Sequence, residues 1–214
     1  MEVEQKKREE LSIVCREVYQ REMVSSSGGN ISLKIDHGLL ITPTGVSLGR
    51  ITPECLVKVG LDGIVQGPGR PSKELVFHLQ AYMTRPDIGA VVHVHSSYAV
   101  TLTCMLAKNP FPIPAMTPGY AVRVGNLPMI PMMIPGTPEL AEAVKNVIAT
   151  RDSVLLGKHG VVVVGSDLQS ALNMAEEIEE NAKIIVLGGS RAVGLTEEEV
   201  AAVRKLYVKS AKGA

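Results

Sequence analysis

Apolar residues recur at Leu11, Val14, Cys15, Val18 and Tyr19. This is the i, i+3, i+4, i+7, i+8 spacing of a helix with one buried face, and it predicts an amphipathic helix over residues 4–24. The spacing then shortens. Two apolar runs, 31–35 and 39–42, flank Asp36-His37-Gly38 and predict a hairpin with His37 in its turn. Runs 56–59 and 63–66 predict a second strand pair. Leu75–Thr84 returns to helical spacing, with Ser72 as candidate N-cap. Residues 90–95 read as a strand and 98–107 as a helix. Thr137-Pro138, a cap residue followed by proline at the first helical position, opens a helix to about Thr150. Strands are predicted over 154–156 and 161–164, on either side of Lys158-His159-Gly160. Asp167 caps a helix reaching Leu187, and Thr196-Glu-Glu-Glu199 is a capping box for a last one. The proline- and glycine-rich stretch 109–136 reads as long loops interrupted by short strands, and loops that long are usually functional or interfacial. Strands clustered in hairpins predict an α/β fold: a single domain over residues 1–214, with a central mixed, largely antiparallel sheet flanked by helices.

Composition narrows the function classes. Of 214 residues, 45% are hydrophobic and 21% charged, and 22 Lys and Arg balance 22 Asp and Glu. With no net charge and no basic block, nucleic acid and membrane surfaces lose their electrostatic warrant as partners. Cys15, Cys55 and Cys104 are odd in number and far apart, which points to a reducing compartment. The first eight residues hold no apolar core of a signal peptide, and no apolar run approaches the ~18 residues of a membrane span. A cytoplasmic location is expected.

Five segments carry candidate chemistry. In a strand, residues i and i+2 share a face, so His93 and His95 can aim two imidazoles at one point, and His159 can supply a third. Three neutral imidazoles suit a borderline metal such as Zn²⁺ and leave a coordination position open, as catalysis requires. Alone, the pair reads equally well as two unrelated histidines. Ser25-Ser-Ser27-Gly28-Gly29-Asn30 offers close backbone N–H groups and side-chain donors for an anion, or is a flexible turn. Thr42-Pro-Thr44-Gly45 is a similar short loop. Pro71-Ser72-Lys73-Glu74 sets a hydroxyl and an ammonium beside a carboxylate at a helix start, where anions gain from the local dipole. Glu74 is a candidate fourth ligand or general base, or only a first-turn charge. Thr117-Pro-Gly119-Tyr120 places a tyrosine on a loop, as an acid or a packing residue.

Together these segments resemble the class II aldolase/adducin superfamily, typified by L-fuculose-1-phosphate aldolase, over roughly residues 8–210. Ser-Gly-Gly-Asn30, Thr-Pro-Thr-Gly45, Pro-Ser-Lys-Glu74, His93-Val-His95 and His159-Gly stand in the family's order. The resemblance implies a three-layer α/β/α domain. It implies metal ligation by His93, His95, His159 and Glu74, with Zn²⁺, Mn²⁺ or Co²⁺ as the ion. It implies a phosphate pocket on Gly29, Asn30, Thr44, Gly45 and Ser72, to which Ser27 is adjacent. The family's aldolases commonly have a second serine where this chain has Lys73. That departure, with Thr117–Gly125 and the prolines of 130–136, resembles the 3-oxo-tetronate 4-phosphate decarboxylase branch, which makes dihydroxyacetone phosphate and CO2; the branch's usual aromatic residue near Gly119 is missing. Lys73 would then help hold a substrate bearing both phosphate and carboxylate. In either reaction Glu74 moves protons, and Tyr120 is the candidate acid. The resemblance further implies a homotetramer whose sites lie between subunits, with 109–136 carrying Tyr120 toward a neighbour, and a small phosphorylated substrate. A sugar-phosphate aldolase is the alternative, followed by a pentose 5-phosphate 4-epimerase and a non-enzymatic adducin-like protein.

Overall fold

The computed structural model describes residues 2–106 and 113–211, with side chains through residue 207. Helix α1 (Glu2–Gln20) leads into strands β1 (Asn30–Ile35), β2 (Gly38–Ile41) and β3 (Val57–Val59). Helix α2 (Leu75–Thr84), strand β4 (Ala90–Val94) and helix α3 (Ser97–Leu106) follow. Then come α4 (Pro118–Arg123), β5 (Met129–Ile130), α5 (Pro138–Ile148), β6 (Ser153–Leu156), β7 (Gly160–Gly165), α6 (Leu168–Gly188) and α7 (Glu197–Ala211).

The strands form one sheet in the order β3-β2-β1-β4-β7-β6-β5. Every pair is antiparallel except β5–β6, so the sheet is mixed and largely antiparallel as expected. Its central strands β1, β4 and β7 are buried at nearly every position because both faces are covered. Alternation sorts their side chains. Ile31, Leu33, Val92, Val94, Val161 and Val163 face one core with α1, α3 and α6. Leu39, Ile41, Val91, Val162 and Val164 face a second core with α2 and α5. The result is three layers, α/β/α. Among the described residues no helix is long and apolar enough to cross a membrane.

Four expectations are corrected. Helix α1 stops at Gln20, short of residue 24, because Glu22 takes a left-handed φ of 58° and the Met23 and Glu22 N–H groups return to the Val18 and Tyr19 carbonyls. That is a Schellman closure with a glutamate in the usual glycine place. Residues 63–66 are no strand. Asp62 accepts the Ile64 N–H, Gly63 turns at φ 82°, and only an isolated bridge joins Val65 to Val59. Ser72 is not the N-cap of α2; Glu74 holds that position, and the Ser72 hydroxyl accepts the Glu74 N–H at 3.2 Å. The stretch 113–136 contains helix α4, started by Thr117, whose side chain accepts the Tyr120 N–H, and by Pro118. Thr117-Pro118 carries the same cap-and-proline signal as Thr137-Pro138, so α4 is legible in the sequence too. Residues 109–112 lie outside the described residues.

Candidate active site

His93 lies near the end of β4 with its side chain on the α2 face, and His95 follows just past the strand. His159 sits in the β6–β7 turn, where Lys158 adopts φ 55° and its N–H is held by Thr103 Oγ1 at 2.8 Å. Glu74 is delivered by the N-terminus of α2. One ligand atom from each of these four residues lies within 4.8 Å of the others. His93 Nε2 is 2.9 Å from His95 Nε2 and 3.2 Å from Glu74 Oε2, and His159 Nε2 is 3.6 Å from Glu74 Oε1.

Close packing imposes this convergence. A Cβ on Gly28 would stand 2.8 Å from His95 Nδ1, and one on Gly160 would stand 2.3 Å from the Val94 carbonyl oxygen. Both glycines exist so that neighbouring backbone can press against the His-x-His segment. The flexible-turn reading of Gly28-Gly29 therefore gives way to a close-approach one.

The donor chemistry fits a divalent cation. His93 Nδ1 lies 2.9 Å from the Val161 carbonyl and must donate to it, so in the neutral ring Nε2 carries a lone pair. Two ring lone pairs 2.9 Å apart repel unless a cation or proton lies between them. Glu74 Oε1 and His159 Nδ1 are buried with no hydrogen-bond partner among the described residues. Burial opposes ionisation of Glu74, but His93, the Asn30 amide and His159 more than offset it and hold the carboxyl well below the usual range. Burial, then the neighbouring His93, lowers His95 to about 3 and His159 to about 4. His95 and His159 are thus neutral and the Glu74 carboxylate ionised near pH 7, the state in which each ligates a metal.

The pocket motifs meet beside this cluster. An isolated bridge pairs Pro43 with Pro71, the Thr44 N–H donates to the Arg70 carbonyl, and the Ser72 N–H donates to the Thr42 carbonyl. Thr44-Gly45 and Ser72-Lys73 thereby become neighbours. Ser27 and Gly45 line a cavity of about 490 Å³ with Tyr19, Ser26, Ser47 and Arg50. Tyr19 and Ser26 also line an adjoining space that reaches His95. Tyr19 and Arg50 were not anticipated: Tyr19 reads as a core position of α1, and nothing near Arg50 in the sequence marks it. Lys73 is exposed, one residue from Glu74.

Two expected site residues are placed differently. Asn30 is buried, with Nδ2 donating to Glu74 Oε2 at 2.8 Å and Oδ1 2.5 Å from His78 Nε2, so its amide is engaged behind Glu74 rather than offered whole to a phosphate. Tyr120 belongs to α4, is wholly covered by its own chain, and packs in the core on the opposite face of the sheet from Glu74 and His93. Its hydroxyl has no hydrogen-bond partner among the described residues, and burial pushes the phenol up. Tyr120 thus lies on a helix rather than on a loop.

Residues 9–186 match the model of the class II aldolase and adducin N-terminal domain family. The chain belongs to this family. It is 40% identical over 205 residues to the 3-oxo-tetronate 4-phosphate decarboxylase of Escherichia coli K12, covering 94% of this chain and 97% of the relative. It is 36% identical over 171 residues to an L-fuculose phosphate aldolase of Methanococcus maripaludis, covering 80% and 91%. Among solved structures, YgbL of Escherichia coli, a putative aldolase/epimerase/decarboxylase, superposes with a TM-score of 0.88 at 38% identity, covering 94% of this chain and 99% of the other. The chain is an enzyme of the lyase class.

Proposed function

We propose that the chain is a divalent-metal-dependent carbon–carbon lyase that decarboxylates a 3-oxo-tetronate 4-phosphate to dihydroxyacetone phosphate and CO2. The observation that carries the metal dependence is the convergence of three imidazole Nε2 atoms on the ionised Glu74. His93, His95, His159 and Glu74 would hold a divalent cation, which would supply the positive charge that makes a ketone next to the breaking bond a better electron acceptor. Zn²⁺ suits this nitrogen-rich set, with Mn²⁺ and Co²⁺ as alternatives.

The chain's own groups do the rest. The N–H groups of Gly29 and Gly45 and the hydroxyls of Ser27, Thr44 and Ser72 bind the phosphate, with Arg50 adding positive charge to the same cavity. Lys73 faces solvent beside Glu74 and pairs with the carboxylate that departs as CO2. Glu74 Oε1, buried and without a hydrogen-bond partner among the described residues, is the oxygen placed to pass a proton from solvent water to the carbon that loses CO2. Tyr120 has no place in this reading. Nothing in the sequence supports a nucleic-acid or membrane partner. A homotetramer is proposed from the family resemblance alone, and sedimentation of the active enzyme checks its size; a cytoplasmic location is proposed from the odd, scattered cysteines.

Decarboxylation is preferred to aldol cleavage because the 40% likeness to a decarboxylase runs over nearly both whole chains, while the likeness to an aldolase is 36% over 171 residues. Product analysis with a 3-oxo-tetronate 4-phosphate and, separately, L-fuculose 1-phosphate decides between them. CO2 and dihydroxyacetone phosphate are expected from the first, with turnover lost to a chelator and restored by Zn²⁺, Mn²⁺ or Co²⁺. An aldehyde from the second, with no CO2 from the first, would return the reading to a sugar-phosphate aldolase.

A further inference from the structure

Behind Glu74 lies a buried polar chain that metal ligation does not account for. Tyr82 OH is 2.7 Å from Ser32 Oγ, which is 2.7 Å from His78 Nδ1. His78 Nε2 is 2.5 Å from Asn30 Oδ1, and Asn30 Nδ2 is 2.8 Å from Glu74 Oε2. The five residues come from β1 and from α2 with the residue that caps it. His78 and Ser32 are 0% exposed, and Tyr82, Asn30 and Glu74 do not exceed 7%. Buried polar groups at this density are costly unless each is satisfied, so the direction of every hydrogen bond can be worked out.

Glu74 is ionised and can only accept, so Asn30 must present its N–H to it. The opposite amide orientation would set two oxygens against each other at 2.8 Å. Asn30 Oδ1 therefore faces His78, and His78 must donate from Nε2. A neutral ring protonated at Nε2 has its lone pair on Nδ1, so the single hydroxyl proton of Ser32 goes to His78. Tyr82 then donates to Ser32. Every donor in the chain points toward Glu74. No proton can travel along it, because an amide N–H between histidine and carboxylate does not relay one without becoming an imidic acid.

We propose that His78, locked as its Nε2–H tautomer, is a positioning residue: it fixes the Asn30 amide so that Glu74 is held by one oxygen, Oε2, and keeps the other, Oε1, free. Phe77 supports this arrangement by stacking on His78 (ring centroids 4.6 Å apart, 19° between planes) and meeting His93 edge-on at 5.6 Å. The role at Glu74 rests on the metal-site reading above, whereas the tautomer does not.

Two measurements test it. In metal-free protein with ¹⁵N-labelled histidine, long-range ¹H–¹⁵N correlation should find His78 protonated at Nε2 and bare at Nδ1; a proton on Nδ1 overturns the proposal. The second measurement is Zn²⁺ affinity by competition with a chromophoric chelator. His78→Leu should weaken it roughly ten- to a hundred-fold, the usual effect of losing a partner behind a ligand. His78→Gln, whose amide can still donate near the Nε2 position, should recover most of that loss, and Ser32→Ala, a smaller change in the fold, should fall between them. Unchanged Zn²⁺ affinity in folded His78→Leu or Ser32→Ala, with only the melting temperature lowered, would overturn the proposal and leave a merely structural histidine. Failure of the unaltered protein to bind Zn²⁺ would instead sink the metal-site reading, and the tautomer measurement would still decide His78.

Discussion

A glycine at position 28 costs backbone entropy in the unfolded chain, yet no other residue fits. The Cβ of an alanine would lie 2.8 Å from His95 Nδ1 and 3.1 Å from the Ser25 carbonyl oxygen. The carbonyl belongs to a tight turn, closed by the Gly28 N–H donating to it at 2.9 Å, so the imidazole is the part that yields. Gly28→Ala should therefore tilt His95 away from the other donors and reduce Zn²⁺ affinity about tenfold or more, while thermal stability changes by about 1 kcal/mol or less. Equilibrium metal competition beside thermal melts reads both numbers. Undiminished affinity would mean that His95 is not a required ligand.

Among the elements, α6 contributes most to the first core. Leu168, Ala171, Leu172, Ala175, Ile178, Ala182 and Ile185 form one buried stripe against the sheet. Glu179, also on α6, accepts the Tyr98 and Ala99 N–H groups at 2.9 and 2.8 Å, so one helix satisfies the otherwise unpaired first turn of another. That tie anchors α3 directly after the His-x-His segment. The start of α6 is set by Asp167, whose Oδ1 accepts the Ser170 N–H at 2.7 Å while Ser170 Oγ accepts the Asp167 N–H. Asp167→Ala should lower unfolding free energy by about 1 kcal/mol without altering Zn²⁺ affinity. Urea denaturation measures the first, and a loss below about 0.3 kcal/mol would show that tertiary packing alone holds this helix end.

The whole molecule links folding to pH through the same site. His95 and His159 have folded values of about 3 and about 4, both below an ordinary histidine. Below about pH 6.5 the unfolded chain therefore binds protons that the folded chain does not, so stability is complete above that pH and declines as pH falls toward the folded values. Buried His78, lowered to about 3 by desolvation first and then by His93, acts in the same direction. So does Glu74, whose depressed value adds a loss at more acid pH. Melting of the metal-free protein should fall steadily from pH 7 to pH 5. A saturating divalent metal should raise stability most near pH 7, since ligation competes with protons. A melting temperature that is flat or rising on acidification would contradict the neutral, buried state of these imidazoles.

Short-range pattern alone determined much of this protein. Alternation and helical spacing located β1, β2, β4, β6, β7 and α2, and the cap residues Thr137, Asp167 and Thr196 located three helix starts, because these signals act between residues a few positions apart. The i, i+2 rule placed His93 and His95 on one face for the same reason. What only the tertiary structure decided depends on residues distant in the chain. That His159 and Glu74 meet this pair follows from β4 lying between β1 and β7 with α2 packed across them. Asn30 was expected at a phosphate and instead engages Glu74, because its register opposite His93 turns it inward toward α2. Tyr120 was expected on a loop and lies on a helix packed in a core, since a six-residue helix gains most of its stability from packing rather than propensity. The chain from Tyr82 to Glu74 had no local signature at all. Its members are ordinary residues of a strand and a helix until the sheet and α2 pack together and, with water excluded, leave each polar group only its neighbour as a partner.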